Sequence, residues 1–152
     1  MKKIVVDTNI VFSAIMNTKS NIGDLLMNSD EFLTFYSAQY LRHEIEEHKD
    51  KLIEISKLSE QEIEESKFQI FNKIHFLAEE QIPFNVWHQS ANYVRDVDMD
   101  DIVFVAMSEY LEVELWSGDK QLMEGLKSKG FSRCISTQEM IELRRKIESG
   151  EK

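Results

Sequence analysis

The segment Lys3-Ile4-Val5-Val6-Asp7-Thr8-Asn9 constrains the fold of this chain more than any other. Three β-branched residues in a row, without polar alternation, make a strand that must be covered on both faces, as central strands of parallel sheets are. In open α/β sheets, ligands bind in the crevice beyond the carboxyl ends of such strands. Asp7 stands at that edge with Thr8 and Asn9 beside it. A second short apolar run, Leu115-Trp116-Ser117-Gly118-Asp119, also ends in a hydroxyl and a carboxylate. Two strand ends that each deliver an acid beside a Ser or Thr suit a hard cation.

Between these two strands the pattern alternates. A helix is expected over 10–16, a break over 17–21 and a further helix over 23–27. A strand follows at 32–36, with Ser37 as N-cap of the next helix. Leu41, Ile45, Leu52 and Ile55 line one side of that helix, opposite a row of acids. Ser59 with Glu62 is a capping-box pattern. It opens a second helix with Ile63, Ile70, Ile74 and Leu77 on its apolar face, flanked by Phe71, and the two helices form a hairpin beside the sheet. Residues 81–85 hold the single proline and read as irregular, and 86–95 as a short helix. The acidic turn 96–101 leads into an almost wholly apolar, buried helix over 102–110. After the strand ending at Ser117 come a helix over 119–127 stopped by Gly130, a short strand at Cys134 and Ile135, and a last helix capped by Thr137 and running to about Ile147. Strands alternating with helices imply a parallel sheet with right-handed crossovers. The expected fold class is α/β, a three-layer α/β/α sandwich around a mostly parallel sheet. One domain is expected over residues 1–148, followed by a short polar tail, 149–152.

Composition narrows the function classes. The chain has 152 residues, enough for one proper core, and a lone Cys134, which excludes an internal disulfide and suits an apolar core thiol in a reducing cytosol. No apolar run approaches the roughly 18 residues of a membrane span, and the start of the chain does not read as a signal peptide. A cytoplasmic protein without membrane contact is therefore expected. The net charge of −10 works against loose binding to nucleic acid. The charge is uneven, however. From Glu44 to Glu65 nine acids face three lysines, whereas from Lys120 to Lys146 seven bases face three glutamates. The C-terminal quarter can therefore meet phosphates although the whole chain is acidic.

Four acids share one setting. Asp7 and Asp119 follow strand ends, Glu44 lies in the first turns of the helix after the second strand, and Asp101 opens the buried apolar helix. Helix starts after parallel strands point to the same sheet edge as the strand ends, so all four converge there. Carboxylates packed within a few ångströms of one another cannot all ionise without a neutralising cation. An all-oxygen set selects Mg²⁺ or Mn²⁺ over Zn²⁺, and such ions activate phosphodiesters toward hydrolysis.

The order of these elements resembles the PIN-domain nucleases. The residues that carry the resemblance are Val5-Val6-Asp7-Thr8-Asn9, the S-x-x-x-x-x-x-E spacing from Ser37 to Glu44, Asp101 followed by Ile102-Val103-Phe104-Val105-Ala106, and Ser117-Gly118-Asp119. The similarity spans nearly the whole chain in family order. It implies a PIN-like fold and a metal-dependent ribonuclease with Asp7, Glu44, Asp101 and Asp119 as its acidic quartet. Asp7, Asp101 and Asp119 would be the metal ligands, with Asn9 and Ser117 as supporting polar groups. Ser117 stands where the family more often has Thr. Asp98, Asp100 and Asp101 crowd the third position; Asp101 directly precedes the apolar helix, and Asp100 is its rival. The family includes the toxins of VapBC-like type II toxin–antitoxin pairs. The implied partners are thus an RNA substrate, an antitoxin protein and a second copy of the chain. Lys120, next to Asp119, is the candidate phosphate contact, with Arg144, Arg145 and Lys146 as a more distant cluster and Lys49 and Lys51 as the alternative route.

Other classes fit less well. A haloacid-dehalogenase-like phosphatase needs an acid at Asn9. His43-Glu44-Ile45-Glu46-Glu47-His48 misses the zinc-peptidase H-E-x-x-H spacing by one residue, which splits the histidines between helix faces. Cys134 has no nearby histidine to activate it. Most aromatics read as core, Trp87 being the one placed to stack on a base. A catalytically decayed module that acts by binding RNA or protein is the non-enzymatic alternative.

Overall fold

The computed structural model describes residues 1–97 and 99–150. Asp98 of the expected acidic turn and the last two residues of the expected tail lie outside them. Five strands form one sheet: β1 (Lys2–Val6), β2 (Leu33–Ala38), β3 (Ile74–Leu77), β4 (Glu114–Trp116) and β5 (Cys134–Ile135). Their order is β3-β2-β1-β4-β5, and every pairing is parallel. Ile4, Val5 and Val6 are all fully buried, as a central strand requires. The chain winds outward from β1 to β3 on one side, then returns to place β4 on the other. The order therefore reverses beside β1, and the crevice between the ends of β1 and β4 is the topological switch point.

Helices cover both faces. On one side α1 (Thr8–Met16) packs against α2 (Asn21–Met27), α3 (Tyr40–Glu47), α4 (Lys49–Ser56) and α5 (Glu60–Phe71). On the other, α7 (Ile102–Leu111) crosses β1, β2 and β4, with α6 (Phe84–Val94) against it and α8 (Lys120–Ser128) touching α6. The last helix, α9 (Thr137–Glu148), rests on α2. Residues Val103 to Ser108 of α7 are buried without interruption, so this helix is the core of its layer. The three-layer α/β/α architecture expected from the alternation is the one observed. Among the described residues no helix is long and apolar enough to cross a membrane.

Several local expectations needed correction. Ser37 does not cap a helix: it lies buried inside β2, and its hydroxyl donates to the Val6 carbonyl at 2.8 Å. Parallel pairing with β1 and β3 carries the strand on to Ala38, and Gln39 takes the cap position without a side-chain bond. The single helix expected after it is two, α3 and α4, divided at His48 (φ −102°, ψ 17°). Leu41, Ile45 and Leu52 are buried, while Ile55, in the last turn of α4, is 53% exposed. Ile74 and Leu77 do not belong to α5 but to the edge strand β3, where Ile74 pairs with Phe35. Their spacing from Ile70 mimics a helix, which periodicity cannot separate from so short a strand. The irregular stretch at 81–85 resolves into a 3₁₀ turn, Glu79–Gln81, and the start of α6. Ser136, not Thr137, caps α9 in a capping box with Glu139; Thr137 Oγ1 instead accepts the Trp116 indole N–H at 3.0 Å. The Ser59–Glu62 capping box and the stop at Gly130, whose φ of +97° favours glycine, are as expected.

Candidate metal and nuclease site

Asp7 is the buried acid of the site, 1% exposed. It ends β1 and caps α1, its Oδ1 accepting the Ile10 N–H at 3.0 Å. Ser37 holds the preceding carbonyl, so the position of Asp7 is set by both neighbouring elements. Its other oxygen, Oδ2, is buried without a well-formed hydrogen bond among the described residues, although the Ser117 hydroxyl is close enough to favour the charged form. Burial pushes the Asp7 carboxyl up to about 6, against an ordinary value of 3.8. The Ile10 N–H and Ser117 pull it down, and the charges of Asp119 and Glu44 add to the rise. A buried carboxylate oxygen with so little compensation is costly unless a positive group meets it.

Asp119 ends the loop after β4 and caps α8, with Oδ1 accepting the Leu122 N–H at 3.1 Å and its own N–H donating to Ser117 Oγ at 3.2 Å. Ser117 thus braces both strand-end acids. Glu44 comes from α3, and Thr8 Oγ1 donates to its Oε1 at 2.5 Å. Partial burial raises the pKa of Glu44 most; Thr8 and His48 oppose this, and Asp100 and Glu47 add to it. Asp101 is the residue before α7 and makes no capping bond to it.

Glu44, Asp100, Asp101 and Asp119 line one cleft of about 220 Å³, together with Thr8, Asn9, Phe12, His48, Lys51 and Phe104. Asp7 lies beneath, coupled to Glu44 and Asp119 through their charges. Glu44, Asp101 and Asp119 of the expected quartet therefore meet on one cleft with Asn9, while Asp7 and Ser117 are buried outside its lining. No group of three or more His, Cys, Asp or Glu among the described residues stands closely enough to chelate an ion with the side chains as placed. What fits a hard cation is the donor chemistry: four oxygen-bearing acids around one cleft over a buried, poorly compensated Asp7 oxygen.

Lys120 lies outside this cleft, on a larger groove of about 1010 Å³ that shares Asn9, Phe12 and Asp119 with it. Other basic residues are committed elsewhere. Arg144 pairs with Asp24 at 3.0 Å and with Glu148 at 3.2 Å, and donates to the buried Ser29 hydroxyl, so it ties α9 to α2 rather than facing the site. Lys49 bridges Glu60 and Glu64 of α5. Lys51, by contrast, is on the acidic cleft itself. The sequence marks Thr8 only as the hydroxyl beside Asp7 and Lys51 only as part of an alternative RNA route; the Thr8–Glu44 bond and the place of His48 on the cleft are not legible there. His43 pairs with Glu47, apart from His48, which leaves no paired-histidine zinc site there. Burial, with help from the Asp7 charge, pushes the Cys134 thiol up to about 12, so it is no nucleophile at neutral pH.

Residues 5–146 match the PIN domain as a sequence family. The chain belongs to the PIN-domain family. All four quartet positions fall within the matched region. Among solved structures, this PIN domain resembles VapBC2 from Rickettsia felis, solved bound to a DNA fragment from their promoter. That likeness has a TM-score of 0.66 at 14% identity over 88% of this chain and 98% of that one. It also resembles PAE2754 from Pyrobaculum aerophilum, with a TM-score of 0.67 at 12% identity over 95% of this chain and 90% of the other. At such identities the likeness speaks for the fold. None of the curated proteins matches the sequence.

Proposed function

We propose that this PIN domain is an endoribonuclease that depends on Mg²⁺ or Mn²⁺. The observation that carries this is the buried, poorly compensated Oδ2 of Asp7 at the sheet's switch point, beneath a cleft rimmed by Glu44, Asp101 and Asp119. Asp7, Asp101 and Asp119 would hold the cation. When bound, a divalent ion supplies positive charge and Lewis acidity to a phosphodiester.

The chain's own residues do the rest. Oδ1 of Asp7 stays on the Ile10 N–H, which fixes the carboxylate and leaves Oδ2 for the cation. Ser117 steadies the Asp119 loop. Glu44, oriented by Thr8 and with a raised pKa, is placed to take a proton from the attacking water. Asn9 at the rim offers amide donors to a phosphate oxygen. Lys120 attracts the strand along the outer groove, offsetting the negative field of the protein. As the family resemblance implies, hydrolysis by water leaves 5′-phosphate and 3′-hydroxyl ends.

The biological setting supported by the family resemblance is the toxin half of a VapBC-like pair, with an antitoxin protein and a second copy of this chain as partners. The test of the enzyme is RNA cleavage by the full chain with Mg²⁺ or Mn²⁺, with chelator, and with Asp7→Asn. Cleavage only by wild type with metal supports the proposal. RNA binding without turnover in every condition favours the decayed module. For the toxin role, growth arrest on expression of wild type but not Asp7→Asn is expected.

A further inference from the structure

Resting on the ribonuclease reading above, we propose that a cavity beside the acidic cleft is a base-binding subsite. It seats the nucleobase next to the scissile phosphate and prefers a base with an exocyclic amino group over uracil. The cavity, about 370 Å³, is walled by Tyr40, Glu79, Trp87, Met99, Asp100 and Ile102. Asp100 also lines the acidic cleft, so the two hollows share a wall. On its far side the cleft shares Asn9, Phe12 and Asp119 with the groove that carries Lys120. Three hollows thus adjoin: an aromatic one, an acidic one, and a mixed one that carries a lysine. A single RNA strand calls for this sequence of surfaces, since unstacked bases rest on aromatic side chains while the backbone follows cationic and polar groups.

The walls have the character of a base site. Tyr40 and Met99 are half exposed, at 42% and 53%, although both are large and apolar. Trp87 packs part of its ring on the core, which makes it a rigid platform, and gives the rest to the cavity. Glu79 accepts the Tyr40 backbone N–H through Oε1, which anchors its carboxylate in the wall. Ionised carboxylates only accept hydrogen bonds, so a base edge facing Glu79 and Asp100 must donate. Adenine, cytosine and guanine present amino groups. Uracil offers a single N3–H between two carbonyl oxygens, which the carboxylates repel.

Fluorescence tests this directly. The chain has two tryptophans, and Trp116 is fully buried, so quenching by RNA reports on Trp87. The full-length Asp7→Asn protein is titrated with short oligouridylates in which one position is guanosine, adenosine, cytidine or abasic. Binding is followed in parallel by anisotropy of an end label. Amino-bearing oligomers should quench Trp87 and bind about tenfold more tightly than all-uridine RNA, the scale of one stacked and hydrogen-bonded base. Trp87→Phe should remove the quenching, and Glu79→Gln should erase the preference over uracil, because an amide can donate as well as accept. RNA that binds by anisotropy yet leaves Trp87 emission unchanged overturns the subsite, as does a base preference unaltered by Glu79→Gln; the cavity then serves another occupant, such as a protein partner. Failure of the wild-type protein to cleave any RNA with Mg²⁺ or Mn²⁺ would instead overturn the ribonuclease reading beneath it.

Discussion

Thr8 Oγ1 hydrogen-bonds Glu44 Oε1 at 2.5 Å, joining the first turn of α1 to the middle of α3. Thr8 follows Asp7 directly, so one helix start fixes two acids: Asp7 through its cap bond and Glu44 through this hydroxyl. Thr8→Val keeps the shape and removes the bond. Cleavage should fall by about tenfold, with a stability loss of about 1–2 kcal/mol for a part-buried bond to a carboxylate. Thr8→Ser should restore both. The bond also holds the Glu44 pKa down, so the acidic limb of the pH–rate profile should move to higher pH in Thr8→Val.

The pH dependence of the metal-free protein has a definite sign. Asp7 holds its proton more tightly in the native state, to about pH 6, than in the unfolded chain, where 3.8 applies. The stability from a neutral Asp7 is therefore full below about 3.8 and is lost as pH rises through about 6. Fully expressed, the loss is on the order of 3 kcal/mol. Asn caps helices as well as Asp does, so Asp7→Asn should melt several degrees higher than wild type in chelator at neutral pH, with the gap closing near pH 4. Glu44, also raised, adds in the same direction. Equal melting curves at neutral pH would mean that Asp7 is not strained by burial.

Much of this site was legible because strand-end acids announce themselves: an apolar run stopped by Asp7 or Asp119 leaves the carboxylate only one edge of a parallel sheet to occupy. The capping boxes were legible for the same reason, being local. What stayed hidden depended on partners far along the chain. Ser37 reads as a cap until β1 is known to lie beside it with a carbonyl to satisfy, and Thr137 until the Trp116 indole reaches it. Ile74 and Leu77 continue the helical spacing of α5 by coincidence, so β3 emerges only from its pairing with β2. Lys51 and Arg144 look alike in sequence, yet only tertiary contacts send one to the cleft and the other to a structural clamp on α2.

The third acidic position separates two neighbours. Asp100 and Asp101 both line the cleft, but Asp100 also walls the aromatic cavity, whereas Asp101 directly precedes α7. Asp101→Asn should lower cleavage by about a hundredfold, the scale of disturbing a metal site. Asp100→Asn should cost less than tenfold and alter base preference more than rate. Equal losses in both would place both residues on the cation.

Lys120 gives a separate test of the strand path. It is exposed on the groove adjoining Asp119 and makes no ion pair among the described residues. Lys120→Ala should weaken RNA binding and make its salt dependence shallower by about one ion's worth, with metal affinity unchanged. The clamped Arg144 should affect stability instead. If Lys120→Ala changes neither RNA affinity nor its slope while Lys51→Ala does, the strand enters past α4.

The central claim is that the buried oxygen of Asp7 is a metal ligand. Calorimetric titration of the full-length, chelator-stripped protein with Mn²⁺ at about pH 7.5, wild type beside Asp7→Asn, tests it most directly. Wild type should bind Mn²⁺, and Asp7→Asn should lose at least about tenfold in affinity while remaining folded. Equal Mn²⁺ affinity in the two folded proteins would contradict the account.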